Sequence, residues 1–402
     1  MRVLISGASV AGPVAAYWLT RRGFDVTVVE RAPALRKTGG HAVDLIGPAM
    51  EITEQMGVVD RVLAHATGTE QLLIHRVGAT RPASIDYRKL TATMSDRHVE
   101  IMRDDLSEIY YDAGRDDVEY LFGDRVTAIG DDGSVSFARS AARTFDVVIG
   151  ADGLHSGVRR LVFGEDAGHT EFLGAYLSVV SVPKSFAREG ESTGFIDVDR
   201  SAMIYTADHL TDARAVFIFR PDAPYDYDHR DTAGHRRLLR ERFFGMSAPV
   251  DRWLRELERT PAFYFDAITQ LQLTSWSRGR VTLVGDAGYC PGPAVGGSTS
   301  LAVIGAYVLA GELERAAGNH AAAFSAYEQF MTPSVLAARA LAKAMTSGIL
   351  PTSRLGVRAF MGAGRLVSLL PSRVTSALAR LNDKGIRLYD SITVPKYPTP
   401  VR

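Results

Sequence analysis

The sequence predicts an α/β protein in which a Rossmann-like domain is interleaved with an antiparallel sheet and followed by C-terminal helices. Three observations carry that reading. An apolar strand followed by a glycine turn and a helix occurs in three places far apart, within Val3–Arg31, Phe145–Arg160 and Gly279–Leu313. Between the second and third, residues 172–276 change texture to short strand-like runs split by turn-rich pieces such as RPDAPYDYDHRD. Beyond them, helical periodicity takes over.

The whole chain sets bounds first. It has 402 residues, with 46 Lys plus Arg against 46 Asp plus Glu. That length allows two domains and a large core. The balanced charge gives no global pull toward nucleic acid or an acidic membrane. Cys290 is the single cysteine, so an internal disulfide and a cysteine-based metal site are excluded, and no metal site is expected. A reducing cytoplasm suits this composition. The N-terminus opens on a strand without a charged leader. The apolar stretch at 301–313 is short for a bilayer span, so no transmembrane segment is expected.

The first element is a βαβ unit. Val3, Leu4 and Ile5 form a buried run, and Gly7 begins a tight turn. A helix follows from about Gly12 to Arg22, with Gly23 as its stop. A second strand, Asp25–Val29, ends at Glu30. The turn residues Gly7, Ser9, Val10, Ala11 and Gly12 place a helix N-terminus at the mouth of the sheet, where its amides and positive partial charge suit a pyrophosphate. Glu30 lies 23 residues after Gly7, the spacing at which an acid accepts from ribose hydroxyls. Ser9 replaces the middle glycine of the fingerprint and is tolerable there if its φ is negative.

The second and third elements turn a dinucleotide into FAD. The strand at Phe145–Ile149 stops at Gly-Ala-Asp-Gly and delivers Asp152 to the sheet edge, where open α/β folds bind ligands. The strand at Val281–Val284 ends in Gly285-Asp286, with Asp286 placed to accept from a ribitol or ribose hydroxyl. PGPAVGGS follows, then a helix over Thr299–Leu313. Reduced flavin is anionic around N1 and the C2 carbonyl. The backbone at Pro293, Gly296, Gly297 and Ser298, with the dipole of the next helix, can stabilise that charge.

With these motifs in hand, the chain resembles the class A FAD-dependent aromatic hydroxylases. This is the para-hydroxybenzoate hydroxylase-like family, which includes tetracycline-modifying monooxygenases. The resemblance spans roughly residues 1–346. It implies that Gly7, Gly12 and Glu30 hold the ADP half and that Arg31 contacts FAD. It implies that Asp152, Gly153 and Arg159 serve FAD and NAD(P)H, and that Gly285 and Asp286 form the GD motif. It further implies that Arg103, opening a helix in VEIMRDDL, reaches the flavin side. The stretch containing Gly39, Gly40 and Asp44 would pass beside the isoalloxazine. The chain departs from the family pattern at Tyr289 (usually His), Ser298 (Gly), Ser300 (Asn) and Gly305 (Asp).

The remaining segments complete the layout. Strands are expected at Tyr176–Pro183, Thr193–Asp197, Ala202–Tyr205 and Ala215–Arg220, with helices at Arg236–Phe244 and Val250–Leu257. Tyr205, Phe217, Phe219 and Arg220 alternate on strands and are candidates for an aromatic substrate pocket, with sheet packing as the equal alternative. His209, His229 and His235 lie in polar contexts and read as solvated. A helix over His320–Ser347 should kink or break at Pro333. The basic tail, 352–402, reads as two amphipathic helices split by Pro371-Ser372 and an extended end. Core or capping helices are the default; a dimer contact or a membrane-surface patch is the alternative. The domain plan is an FAD-binding domain at 1–71, 96–171 and 277–348, an antiparallel-sheet substrate domain at 72–95 and 172–276, and a C-terminal helical segment at 349–402.

The resemblance implies a cytoplasmic monooxygenase, monomer or homodimer. It would use FAD, with NADPH or NADH as transient reductant, and O2. One oxygen atom would pass through a flavin C4a-hydroperoxide to an aromatic, phenolic or polyketide-like molecule. Protein side chains would supply orientation, dryness and charge stabilisation, with no obligatory acid–base residue. The altered Tyr289, Ser298 and Ser300 leave a dehydrogenase or a non-oxidative cyclase as alternatives, and a protein that sequesters a drug is a third reading.

Overall fold

The computed structural model describes residues 1–35, 39–79, 81–164, 169–225, 228–260, 262–292, 297–369 and 387–398. The three strand–turn–helix elements share one sheet of six strands, in the order Ser277–Arg278, Val281–Leu283, Val147–Gly150, Arg2–Ser6, Asp25–Glu30, Glu119–Phe122. All neighbours pair in parallel except the short edge strand at 277–278. The central strands are buried on both faces, which is why Val3–Ile5 and Val147–Ile149 are continuous apolar runs and do not alternate.

The helix Ala11–Arg21 packs on this sheet, the helix Ser298–Arg315 packs against that helix, and both join the sheet's core. The latter is buried along most of its length, through Leu313. Its small residues are therefore packing surface.

The second layer is a seven-stranded sheet, ordered Phe263–Leu271, Thr170–Pro183, Asp212–Phe219, Arg200–Tyr205, Glu191–Asp197, Gln71–Arg76, Ala83–Asp86. Its pairs are antiparallel apart from 191–197 with 71–76. The outer face carries Phe217, Phe219 and Phe265 against helices Thr232–Phe243 and Ala248–Arg255. The inner face carries Leu177, Val179 and Ile268. A two-stranded ribbon, Ala42–Ile46 with His98–Met102, belongs to neither large sheet.

The helix His320–Ile349 runs through Pro333 without a break, one of the two outcomes expected there. Pro333 is exposed, as is Gln329, whose carbonyl loses its amide partner. Water can replace that bond on the outer side of a helix, so the chain need not break there. Helix Arg354–Leu369 follows, then an extended segment that opens with a 3₁₀ turn at Leu388–Ser391. The second expected tail helix falls outside the described residues. No helix among the described residues is long and apolar enough to cross a membrane.

Candidate functional site

Register brings the three motifs to one edge. Ser6 lies opposite Gly150, and Gly150 opposite Leu283. The chain then turns at each strand end within a few ångströms of its neighbours. A Cβ on Gly7 (φ +110°) would lie 2.4 Å from the Ala151 carbonyl oxygen, and one on Gly12 would lie 1.9 Å from the Gly7 oxygen. Neither position admits any side chain. At Gly285 (φ +65°) a Cβ would crowd Ala302 and Ala11. The first and second motifs thus meet backbone to backbone, and the third meets the first at the Ala11 side chain. Ser9 is exposed and is not among the positive-φ residues, so the missing glycine costs no strain.

Two helices open at this edge, and neither has a side-chain cap. The helix Ala11–Arg21 begins at Val10 and the helix Ser298–Arg315 at Gly297 (φ +79°), with no acid in either first turn. The helices Pro48–Gln55, Val59–Ala64, Arg103–Asp112 and Asp286–Tyr289 also lack a side-chain cap, whereas Asp86, Ser156, Asp231, Ser247 and Asn319 each cap one. An uncapped N-terminus keeps its amides and positive end available to an anionic ligand. Glu30 supports the first of them: its carboxylate accepts from the Ala8 amide at 2.9 Å and the Ala32 amide at 2.8 Å. Arg31 beside it is exposed. The donor set and the glycine cradle fit an extended dinucleotide such as FAD.

Two predicted cofactor ligands also brace the backbone. Asp152 accepts from the Ser156 hydroxyl at 2.5 Å and from the Gly157 and Val158 amides at 2.8 and 3.1 Å. Its burial pushes the carboxyl above its ordinary range. Arg159 is fully buried and donates to the carbonyls of Ala287 (2.8 Å) and Leu154 (2.5 Å). It ties the second motif to the third across 128 residues of sequence.

Asp286, Arg103 and the Gly40–Asp44 stretch form the next tier. Burial raises the Asp286 carboxyl, with the Cys290 thiol hydrogen bond and the nearby Arg103 charge acting against it. Arg103 opens its helix, as expected, and its amide donates to the His41 carbonyl at 3.1 Å. Desolvation and then the Arg103 charge lower His41 to about 4, so its imidazole is neutral at pH 7. The Gly40 amide donates to Asp104 at 2.7 Å, and a Cβ there would meet that carboxylate at 2.6 Å. Asp44 lies 2.7 Å from His98. Ser300 bridges this stretch to the uncapped helix, donating to the Asp44 carbonyl (3.1 Å) and accepting from the Ile46 amide (3.0 Å). Pro293 and Gly296 lie outside the described residues; Gly297 and Ser298 are placed at the helix start.

The departures at Tyr289 and Gly305 prove to be one feature. A Cβ on Gly305 would sit 2.0 Å from the Tyr289 hydroxyl oxygen. The tyrosine ring therefore occupies space that glycine leaves. Tyr327 holds it there, hydrogen-bonded to the Leu283 carbonyl at 3.0 Å and to Tyr289 at 3.1 Å.

The seven-stranded sheet forms the roof. The Tyr205 hydroxyl accepts from the Ala42 amide at 2.8 Å, and buried Arg214 donates to the Gly40 carbonyl at 3.0 Å. Phe217 and Phe219, both nominated for the pocket, are instead 0 % and 1 % exposed beneath Phe243 and Trp253 on the outer face. Strand parity decides this: residues one apart point to opposite faces, so these phenylalanines and Arg220 cannot share a pocket. Arg220 pairs with Asp199 at 2.7 Å and donates to the Leu350 carbonyl at 3.3 Å. It is six residues along the strand from Arg214, about 20 Å, and does not join the tier around Gly40.

Sequence reasoning missed the seam between the layers. Asp266 is buried on the inner face and accepts from Tyr264 (3.3 Å), and its carboxylate lies 2.8 Å from Nε2 of His155 in the second motif. His155 stacks on His229 with centroids 4.2 Å apart. His235, read as solvated, is buried against Phe265. The signal was a carboxylate alternating with aromatics inside FYFDAITQL, since a buried strand carboxylate needs partners.

The chain is similar to known proteins along most of its length. The family model described as "FAD binding domain" matches residues 1–329. An uncharacterized protein of Mycobacterium tuberculosis is 41% identical over 334 residues, covering 81% of this chain and 88% of that protein. A flavin-dependent monooxygenase of Legionella longbeachae is 35% identical over 335 residues, covering 82% and 85%. The crystal structure of tetracycline destructase Tet(51) superposes with a TM-score of 0.83 at 31% identity, over 98% of this chain and 99% of that one.

Proposed function

The chain belongs to the FAD binding domain family and is an FAD-dependent monooxygenase, and from that premise we propose the reaction. It uses NADPH or NADH and O2 to insert one oxygen atom into an aromatic, phenolic or polyketide-like small molecule. The observation that carries the reading is the meeting of three glycine motifs and two uncapped helix N-termini at one sheet edge, roofed by a second sheet.

FAD, when bound, supplies the redox and oxygen chemistry. The chain's residues do the rest. Gly7, Ser9, Val10, Ala11 and Gly12 offer backbone to the pyrophosphate, and Glu30 accepts from the ribose. Asp286 takes the ribityl chain. The start of the Ser298–Arg315 helix, with the preceding loop, stabilises negative charge at the ring. Arg103 and neutral His41 line the ring side, and Gly40 and Asp44 flank it. Asp152 and Arg159 hold the loop near which the nicotinamide cofactor approaches. Tyr205, Arg214 and Tyr264 close the roof and exclude water.

The similarity to a tetracycline destructase supports including tetracyclines among candidate substrates. The test is NAD(P)H oxidation by the FAD-loaded protein against a panel of phenols, polyketides and tetracyclines, with product mass as readout. The expected result is substrate-stimulated oxidation and a product heavier by one oxygen. Turnover of a compound without oxygen gain would replace this reading with a dehydrogenase or a cyclase. Tight binding of a panel compound without NAD(P)H consumption would replace it with a sequestering protein.

A further inference from the structure

The C-terminal segment Arg387–Tyr397 lies outside the residues matched by the family model, yet it is built into the cofactor helix. Leu388, Tyr389 and Tyr397 are 7 %, 4 % and 8 % exposed and belong to the same core as the parallel sheet. Two tyrosines fill two glycine notches on the helix Ser298–Arg315. A Cβ on Gly297 would lie 2.0 Å from Cζ of Tyr389, and one on Gly311 would lie 2.3 Å from the Tyr397 ring. The notches are 14 residues apart on the helix, about 21 Å. The tyrosines are eight residues apart in an extended chain, at most about 28 Å. The segment therefore tracks the helix from its N-terminus toward its end.

Both ends of the segment are anchored to the FAD-binding layer. Arg387 pairs with Asp96 (2.8 Å) and Asp390 (2.6 Å), and Asp390 accepts from the Ser95 hydroxyl at 2.5 Å. The Tyr389 carbonyl and Asp390 close over Gly47. At the far end the Tyr397 hydroxyl donates to Glu312 at 2.7 Å, and its ring packs against Tyr307 at 5.4 Å. The Tyr389 ring is packed on Gly297, and burial first, then the Asp44 charge, push its phenol up. These two residues belong to the two segments that flank the flavin ring in the reading above.

We infer that Arg387–Tyr397 is a clamp on the flavin-binding end of the Ser298–Arg315 helix, and that Tyr389 is the residue through which it positions FAD. Gly297 is the N-cap of that helix, in a left-handed conformation that holds where the loop enters. An aromatic ring seated on it leaves the backbone little freedom to move away from the cofactor. The clamp thereby prepays part of the ordering that FAD binding would otherwise require. The inference rests on the FAD reading.

The test is FAD affinity and the fluorescence of bound flavin, measured on the full-length apoprotein reconstituted with FAD. Tyr389→Ala is expected to weaken FAD binding by at least about tenfold and to raise bound-flavin fluorescence. Tyr389→Phe, which keeps the ring, should stay within about threefold of wild type. Gly311→Ala guards against a simple folding defect. It ejects Tyr397 at the far notch without touching the flavin end, and should weaken FAD binding in the same direction, less strongly. Circular dichroism of each apoprotein establishes that it is folded. A folded Tyr389→Ala protein with wild-type affinity and fluorescence overturns the clamp. Tighter binding also overturns it, since the ring would then be competing with the flavin. A wild-type chain that takes up no FAD would instead refute the cofactor assignment.

Discussion

Gly305→Ala is the most informative single change in the helix Ser298–Arg315. A glycine-to-alanine change inside a helix ordinarily stabilises by roughly 0.5–1 kcal/mol. Here the new methyl would lie 2.0 Å from the Tyr289 hydroxyl, 3.2 Å from its Cζ and 3.4 Å from Cε of Met331. The hydroxyl must retreat by more than an ångström, roughly, to reach ordinary contact. It has little room, because Tyr289 is 1 % exposed, its ring lies 5.1 Å from that of Trp276, and Tyr327 holds its oxygen. Overpacking of a core costs about 1–3 kcal/mol and the lost hydrogen bond about 1 kcal/mol more. Crediting the helix gain leaves a net loss of about 1–3 kcal/mol.

Tyr289→Phe removes the obstructing oxygen and should cost about 1 kcal/mol by itself. The double variant Tyr289→Phe/Gly305→Ala should then be more stable than the sum of the two losses, by about 1–2 kcal/mol. Urea denaturation of the four apoproteins measures the cycle. Additive losses, or a Gly305→Ala protein as stable as wild type, would refute the claim that these two departures from the family pattern are one packing solution.

Three further changes probe the site. Glu30→Ala should raise the FAD dissociation constant about tenfold, measured by flavin titration, because a ribose acceptor and a partner of two loop amides disappear together. Asp266→Ala removes the carboxylate shared by His155 and Tyr264 across the seam. It should lower substrate-stimulated NAD(P)H oxidation by about tenfold or more while FAD affinity stays near wild type. His41 gives a pH signature. Its folded value is about 4 against an ordinary 6.5, so the unfolded chain binds the proton first as pH falls. The stability it contributes is complete above about 6.5 and is lost progressively down to about 4. Urea midpoints of wild type and His41→Gln across that window should converge toward pH 4; parallel curves would show that His41 does not titrate this way.

The sheet edge where the three motifs meet was legible in the sequence because its requirements are local. A positive φ at Gly7 and Gly285, an apolar strand before each, and an acid closing the second strand are conditions that neighbouring residues satisfy among themselves. The ends of the Ala11–Arg21 and Ser298–Arg315 helices fell within a few residues of the expected positions for the same reason. Side-chain duties were less legible. Asp152 and Arg159 were nominated as cofactor ligands, but nothing local announced that they brace Ser156 and Ala287.

By itself, the sequence determined the α/β class, the three motifs in their order, and FAD as the group they hold. Tertiary structure decided which strand residues face the other layer and which face away. Phe217 and Phe219 turned outward because a strand's buried face is set by the layer packed on it, here the helices carrying Phe243 and Trp253. Tyr289 became compatible with the fold through Gly305, and Gly297 acquired its ring from Tyr389, 92 residues later. Those contacts depend on two surfaces meeting at ångström precision. No spacing along the chain encodes that fit, because it exists once both surfaces have formed and been pressed together.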